Sequence, residues 1–289
     1  MPDTWHLLGA GSMGSLAAHF LAGAGFNVVV HARQAGGIQR RLLFPDGSRT
    51  DLRLPAASAS GPIDYLLIAT KAADTVPAIT PLLSRLTANS TLVRFQNGMG
   101  SLDCLTLPSG LRMIDAITTS GAWRDGNDIH IAAINQTWFG DGSNQPPNWF
   151  ATLTKAWPDL HWRDDILFAQ LQKLSVNAII NPLTALHDCP NGAIATQPAL
   201  KAAAETLASE IDVLLAELFP GWPDDTLART MEVARLTAGN TSSMRADLRA
   251  GRRTEIDYIT GWLCDQATRH HIAMPANQSI LAQIHARLA

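Results

Sequence analysis

Six residues near the start of the chain, Gly9-Ala10-Gly11-Ser12-Met13-Gly14, restrict its fold more than any other feature. They match GxGxxG in a complete setting. The apolar run Trp5 to Leu8 leads in, Met13, Leu16, Ala17, Phe20 and Leu21 follow at helical spacing, Gly25 supplies a stop, and Phe26 to Val30 reads as a β-branched strand. The pattern predicts a βαβ unit with the glycines at its first strand-to-helix turn. The first glycine turns the chain sharply, the second lets backbone amides approach a pyrophosphate, and the third allows close helix–strand packing. The helix N-terminus then faces the anion. A bare glycine-rich turn is the plainer reading, and it leaves the strand–motif–helix–strand order unexplained.

The exit of the second strand indicates which dinucleotide to expect. An NAD site usually carries Asp or Glu there to hold the ribose 2′-hydroxyl. This chain has His31-Ala32-Arg33, with no carboxylate and with a guanidinium able to pair with a 2′-phosphate, so NADP(H) is expected.

Further strands are predicted at Leu42 to Phe44 and Asp51 to Leu54, flanking the turn Pro45-Asp46-Gly47, and at Tyr65 to Ala69, Thr91 to Phe95 and Met113 to Ile117. All are assigned to one extended α/β sheet. Ile129 to Ile134 and Thr137 to Phe139 read as a small β pair. Two loops follow strands on the side where open α/β sheets bind ligands: Thr70-Lys71 and Gln96-Asn97-Gly98-Met99-Gly100. Lys71 suits a cofactor contact or an ordinary exposed lysine equally, and Asn97-Gly98 could simply form a turn.

From Phe168 onward the pattern is helical, with long apolar-periodic segments at Ala199 to Leu218 and Glu255 to Ala267. The predicted organisation is therefore an α/β, Rossmann-type dinucleotide-binding domain over residues 1–165 and an all-helical domain over 166–289. Within the helical half, Lys173, Asn177 and Asn181 recur every four residues amid Leu174, Val176, Ile179 and Ile180. One cation and two amides in a narrow stripe suit the wall of a ligand cleft, or else a core helix with one exposed edge. Asn240-Thr241-Ser242-Ser243 and Thr254-Glu255-Ile256-Asp257-Tyr258 each read first as helix starts with capping side chains and a favourable first-turn acid.

Composition removes other classes. The net charge is -3 and the densest cationic stretch is the short run Arg249 to Arg253, so a nucleic-acid partner is not expected. Three separated cysteines form no CxxC pair, and nine histidines show no metal-ligand spacing, so neither a disulfide framework nor a metal site is expected. Without a charged-then-apolar leader or an apolar run near the roughly 18 residues of a membrane span, a cytoplasmic protein with no membrane partner is expected.

Taken together, GAGSMG at residues 9–14, QNGMGS at 96–101, KLSVNAIINPLTALHDCPNG at 173–192, SSM at 242–244 and TEIDY at 254–258 resemble the ketopantoate reductase family over nearly the whole chain. The 173–192 stretch is the specific one, since many dehydrogenases share the glycine motif. The resemblance implies NADPH-dependent reduction of ketopantoate, a small 2-keto acid, to pantoate for pantothenate synthesis; a monomer or homodimer is expected. It implies Lys173 as general acid. Substrate contacts are implied at Asn177, Asn181, Asn191 and Ser243-Met244-Arg245-Ala246. Cofactor contacts are implied at Gly9 to Gly14 (Gly9, Ala10, Gly11, Ser12, Met13, Gly14), Arg33, Lys71, Asn97, Ala122 and Glu255. One departure bears on the substrate: where the family commonly has a pair ending in Gln, this chain has Arg245-Ala246, a lost amide and a gained cation. The C-terminus is also short for the family. A related hydroxy acid dehydrogenase and a non-catalytic NADP(H)-sensing protein are the competing expectations.

Overall fold

The computed structural model describes residues 3–32 and 36–288. The chain divides into two compact units, residues 1–96 with 101–169, and residues 97–100 with 170–289.

Among its described residues the first unit is built on eleven strands: β1 (Thr4–Leu8), β2 (Asn27–His31), β3 (Ile38–Leu43), β4 (Arg49–Leu54), β5 (Tyr65–Ile68), β6 (Thr91–Arg94), β7 (Arg112–Thr118), β8 (Gly121–Asp125), β9 (Asp128–Ala133), β10 (Thr137–Gly140) and β11 (Leu160–Trp162). Helices α1 (Ser12–Gly23), α2 (Ala72–Ile79) and α3 (Phe150–Leu153) interrupt them. Seven strands form one sheet in the order β11-β10-β7-β6-β5-β1-β2, in which every neighbouring pair is parallel except β7 and β10. Parallel strands covered on both faces must be apolar throughout, and the period of two sorts their side chains between two cores. Leu7 and Leu67 join α1 residues Leu16, Ala17 and Phe20 on one face. Leu8, Leu66 and Ile68 join Ile79 and Leu82 on the other.

Two expectations for this half are corrected. The strands at Leu42 and Asp51 do not extend the main sheet but form a second one, in the order β4-β3-β9-β8, with β3 parallel to β9. Nor do the segments at Ile129 and Thr137 pair with each other. The first forms a hairpin with β8. The second runs antiparallel to β7 in the main sheet.

The second unit is helical among its described residues. It holds most of α4 (Ile166–Leu186), then α5 (Ala193–Thr196), α6 (Pro198–Leu218), α7 (Thr226–Leu236), α8 (Ser243–Arg249), α9 (Trp262–Arg269) and α10 (Pro275–Leu288). Pro198 opens α6, where its missing N–H costs nothing. The predicted helix from Glu255 instead enters α9 through a π-helical turn, Asp257–Gly261. Wide turns of this kind occur often at functional sites. No helix among the described residues is long and apolar enough to cross a membrane.

Candidate active site

In the first unit the glycine loop leaves β1 and enters α1. Gly9 has φ +101°, and a Cβ there would lie 2.5 Å from the Thr70 nitrogen. A Cβ on Gly14 would lie 1.9 Å from the Gly9 carbonyl oxygen. These two glycines are required by the fold's own packing. Gly11 is not, because a Cβ there would meet nothing within 4 Å. It is the N-cap of α1, with no capping side chain and no acidic residue in the first turn. The loop thus offers bare helix-terminal N–H groups beside open space, which fits the pyrophosphate of a dinucleotide. Arg33 lies outside the described residues.

The two strand-end loops are tied together by Gln96, a link that spacing alone did not reveal. Its amide nitrogen donates to the Thr70 carbonyl (2.7 Å), Thr70 Oγ1 (3.0 Å) and Thr75 Oγ1 (2.7 Å). Its Oε1 accepts from Ser101 Oγ (2.8 Å). Lys71 is exposed, at the N-cap of α2. Ala122 is partly buried in β8, next to α1.

In the second unit the stripe on α4 is half-sheltered. Lys173 and Asn177 are partly buried and Asn181 is buried, while Leu174, Val176, Ile179 and Ile180 form the apolar remainder. Desolvation pushes the Lys173 ammonium down to about 8 from its usual 10.5, and the negative charge of Glu255 opposes part of that fall. An ammonium so placed stays protonated near neutrality yet can release its proton, as a general acid must.

Hydrogen bonds tie the start of α8 to α4, and Asn191 to the segment that precedes α8. Thr184, three residues beyond Asn181, shares a 2.7 Å bond with Ser242 Oγ. Ser242, the N-cap of α8, accepts from the Arg245 N–H (3.2 Å), leaving Ser243 exposed in the first turn and Met244 buried beneath it. Ala246 follows, partly buried. Asn191 donates its backbone N–H to the Asn240 carbonyl (3.1 Å) and its side-chain amide to Thr237 Oγ1 (3.0 Å). Its Oδ1 is buried with no hydrogen-bond partner among the described residues, an acceptor that a ligand group could satisfy. Arg245 turns elsewhere: its Nε donates to Asp188 Oδ1 (3.0 Å) and its Nη2 to the Asp188 carbonyl (2.7 Å).

The Asn97–Gly100 segment belongs to this helical unit. The Met99 N–H donates to the Tyr258 carbonyl (2.8 Å), and a Cβ on Gly98 (φ +78°) would come within 2.6 Å of that oxygen. Asn97 is therefore fixed to the π-helical turn that begins just after Glu255.

The family profile described as "Ketopantoate reductase PanE/ApbA" matches residues 5–144, and "Ketopantoate reductase PanE/ApbA C terminal" matches residues 165–288. The 2-dehydropantoate 2-reductase of Yersinia pestis is 39% identical over 218 residues, covering 74% of this chain and 71% of its own. That of Vibrio cholerae is 32% identical over 287 residues, covering 96% and 95%. Among solved structures, a PanE/ApbA family ketopantoate reductase from Ralstonia eutropha JMP134 superposes with a TM-score of 0.87 at 22% identity, covering 99% of this chain and 98% of that one. A ternary structure of D-mandelate dehydrogenase with NADH and anilino(oxo)acetate gives 0.86 at 19% identity, again covering 99% and 98%. At such identities the structural likeness is one of fold, whereas the sequence matches span both halves of the chain. This chain belongs to the ketopantoate reductase family.

Proposed function

We propose that the protein reduces the C2 ketone of a small 2-keto acid with NADPH, that ketopantoate is its substrate, and that it acts in the cytoplasm as a monomer or homodimer. The observation that carries the reading is Lys173, the cation in the polar stripe of a mostly apolar helix, kept titratable near neutrality by desolvation and flanked by the charge of Glu255. Bound NADPH would supply the hydride taken up by the carbonyl carbon. The Lys173 ammonium donates a hydrogen bond to the ketone oxygen, stabilises the negative charge that gathers there and passes it a proton, giving the alcohol. Asn177, Asn181, Asn191 and Ser243 orient the acid. An asparagine amide cannot give up a proton near neutral pH, so the transfer falls to the lysine. Gly9 to Gly14, Lys71, Asn97, Ala122 and Glu255, with Arg33, hold the cofactor.

Purified protein is to be assayed for NADPH oxidation at 340 nm with ketopantoate, pyruvate and 2-ketoisovalerate. The expected result is turnover with the highest kcat/KM for ketopantoate. NADPH binding without turnover on any of the three would refute the reading and favour a sensing role.

A further inference from the structure

Adjacent arginines on β3 have opposite fates. Arg41 pairs with Asp128 on β9. Arg40 points instead to the glycine loop. Its Nε and Nη2 each approach the Ala10 carbonyl at 3.4 Å, while its Nη1 donates to the Gln39 carbonyl (3.0 Å) and to Asn127 Oδ1 (3.1 Å) in the β8–β9 turn. Among the described residues no carboxylate pairs with it. Burial and the nearby Arg124 both disfavour its charge.

From this arrangement we propose that Arg40 is a phosphate-binding residue of the dinucleotide site, its guanidinium taking a phosphate oxygen of NADPH. The inference rests on the proposed use of NADPH. A guanidinium carries five N–H donors in a planar fork suited to phosphate. The Nη1 side is anchored by two normal hydrogen bonds. The Nε/Nη2 edge rests on two contacts at the outer limit of hydrogen-bond length, so it can exchange a neutral carbonyl for a charged oxygen at little loss. Ala10 precedes the N-cap of α1, so this edge lies beside the uncapped helix terminus, where a Cβ on Gly11 would meet nothing within 4 Å. An anion there would also relieve the repulsion between Arg40 and Arg124. The second sheet, through β3 and the β8–β9 turn, thereby takes part in holding the cofactor.

The test measures dissociation constants of the full-length protein for NADPH and NADH by fluorescence titration, for wild type, Arg40→Ala, Arg40→Lys and Asn127→Ala, with melting temperatures taken alongside. Arg40→Ala should weaken NADPH by about tenfold or more, the scale of a hydrogen bond to a charged group. Arg40→Lys should recover part of the loss, and the dependence of NADPH binding on salt should be shallower in the Ala variant. Equal weakening of NADH would place Arg40 on the pyrophosphate, whereas unchanged NADH binding would place it on the 2′-phosphate; either supports the proposal. If Arg40→Ala does not fold, Asn127→Ala, which frees the anchored side, should weaken NADPH by a smaller factor. A folded Arg40→Ala protein binding NADPH within about twofold of wild type, against the tenfold scale above, would overturn the assignment. A wild-type protein that binds neither cofactor would instead overturn the functional reading, and the assignment with it.

Discussion

Lys173→Met should abolish most turnover and, separately, remove a pH-dependent cost to stability. In the folded protein the ammonium titrates at about 8, against 10.5 for a solvated lysine. At about 1.4 kcal/mol per unit, holding it charged at neutral pH costs the fold roughly 3 kcal/mol relative to the unfolded chain. The folded value lies below the unfolded one, so between the two the unfolded chain binds more protons. The cost is therefore fully present below about pH 8 and is relieved as pH climbs toward 10.5.

Met cannot titrate, so whatever its packing contributes is independent of pH. The unfolding free energy of Lys173→Met minus that of wild type should thus shrink by about 2 kcal/mol between about pH 7 and about pH 9.5, read from urea melts at the two values. In the same variant kcat should fall at least about a hundredfold, the scale of a positioned acid, while NADPH affinity stays within a few-fold. Wild-type kcat should decline above about pH 8 as the proton is lost. A stability difference that does not change with pH would mean that Lys173 is solvated in the folded protein. A folded, NADPH-bound Met variant with wild-type turnover would end the mechanism.

Glu255→Gln removes the charge that raises the Lys173 value, so the alkaline limb of kcat should move to lower pH; an unmoved limb would show that the two are not coupled. Arg33→Glu should lower the NADPH/NADH ratio of kcat/KM by at least about tenfold, and an unchanged ratio would remove Arg33 from the site. Gly98→Ala forces a side chain to φ +78° against the Tyr258 carbonyl and should cost roughly 1–3 kcal/mol in a urea melt, with wild-type stability meaning that the loop relaxes freely. Asn181→Ala should raise KM for the keto acid more than KM for NADPH; a change confined to the cofactor would assign the stripe to the other ligand.

Local patterns carried the βαβ start. The glycines, the helical spacing after them and the stop at Gly25 are all contiguous, and α1 and β2 appear where that grammar puts them. Pairings between distant segments were not legible. The parallel contact of β3 with β9 sets Arg41 opposite Asp128, 87 residues away, and nothing in either segment signals it. The strand β8 was missed because Trp123, Arg124 and Asp125 are all exposed, so no buried alternation marks it. The short β11 has three residues, too few for a period to show. The polar stripe on α4 was legible because four-residue spacing is itself a statement about one helix face. What spacing could not supply is the set of cross-links, Thr184 to Ser242, Asn191 to Asn240 and Gln96 to Thr70, which need the folded chain.

The two cations of the helical unit that the sequence singled out, Lys173 and Arg245, separate on the ranking of forces upon each. At Arg245, 8% exposed, the guanidinium donates to both the side chain and the carbonyl of Asp188, and Arg249 donates to the same carboxylate. Those two arginines hold the Asp188 carboxyl down to about 2, so it remains charged over any working pH. Asp188 sits at φ +47° just beyond the end of α4, and the cluster pins that turn to α8. The Arg245 guanidinium is therefore already engaged within the fold, and a shift in substrate preference at the Arg245-Ala246 pair would come from the amide that is absent more than from the cation that is present. At Lys173 the order is reversed. Desolvation outweighs the attraction of Glu255, leaving an ammonium whose proton is held less firmly than that of a solvated lysine. A cation whose charge is satisfied builds structure; one whose charge is only partly compensated retains the free energy to polarise a carbonyl oxygen.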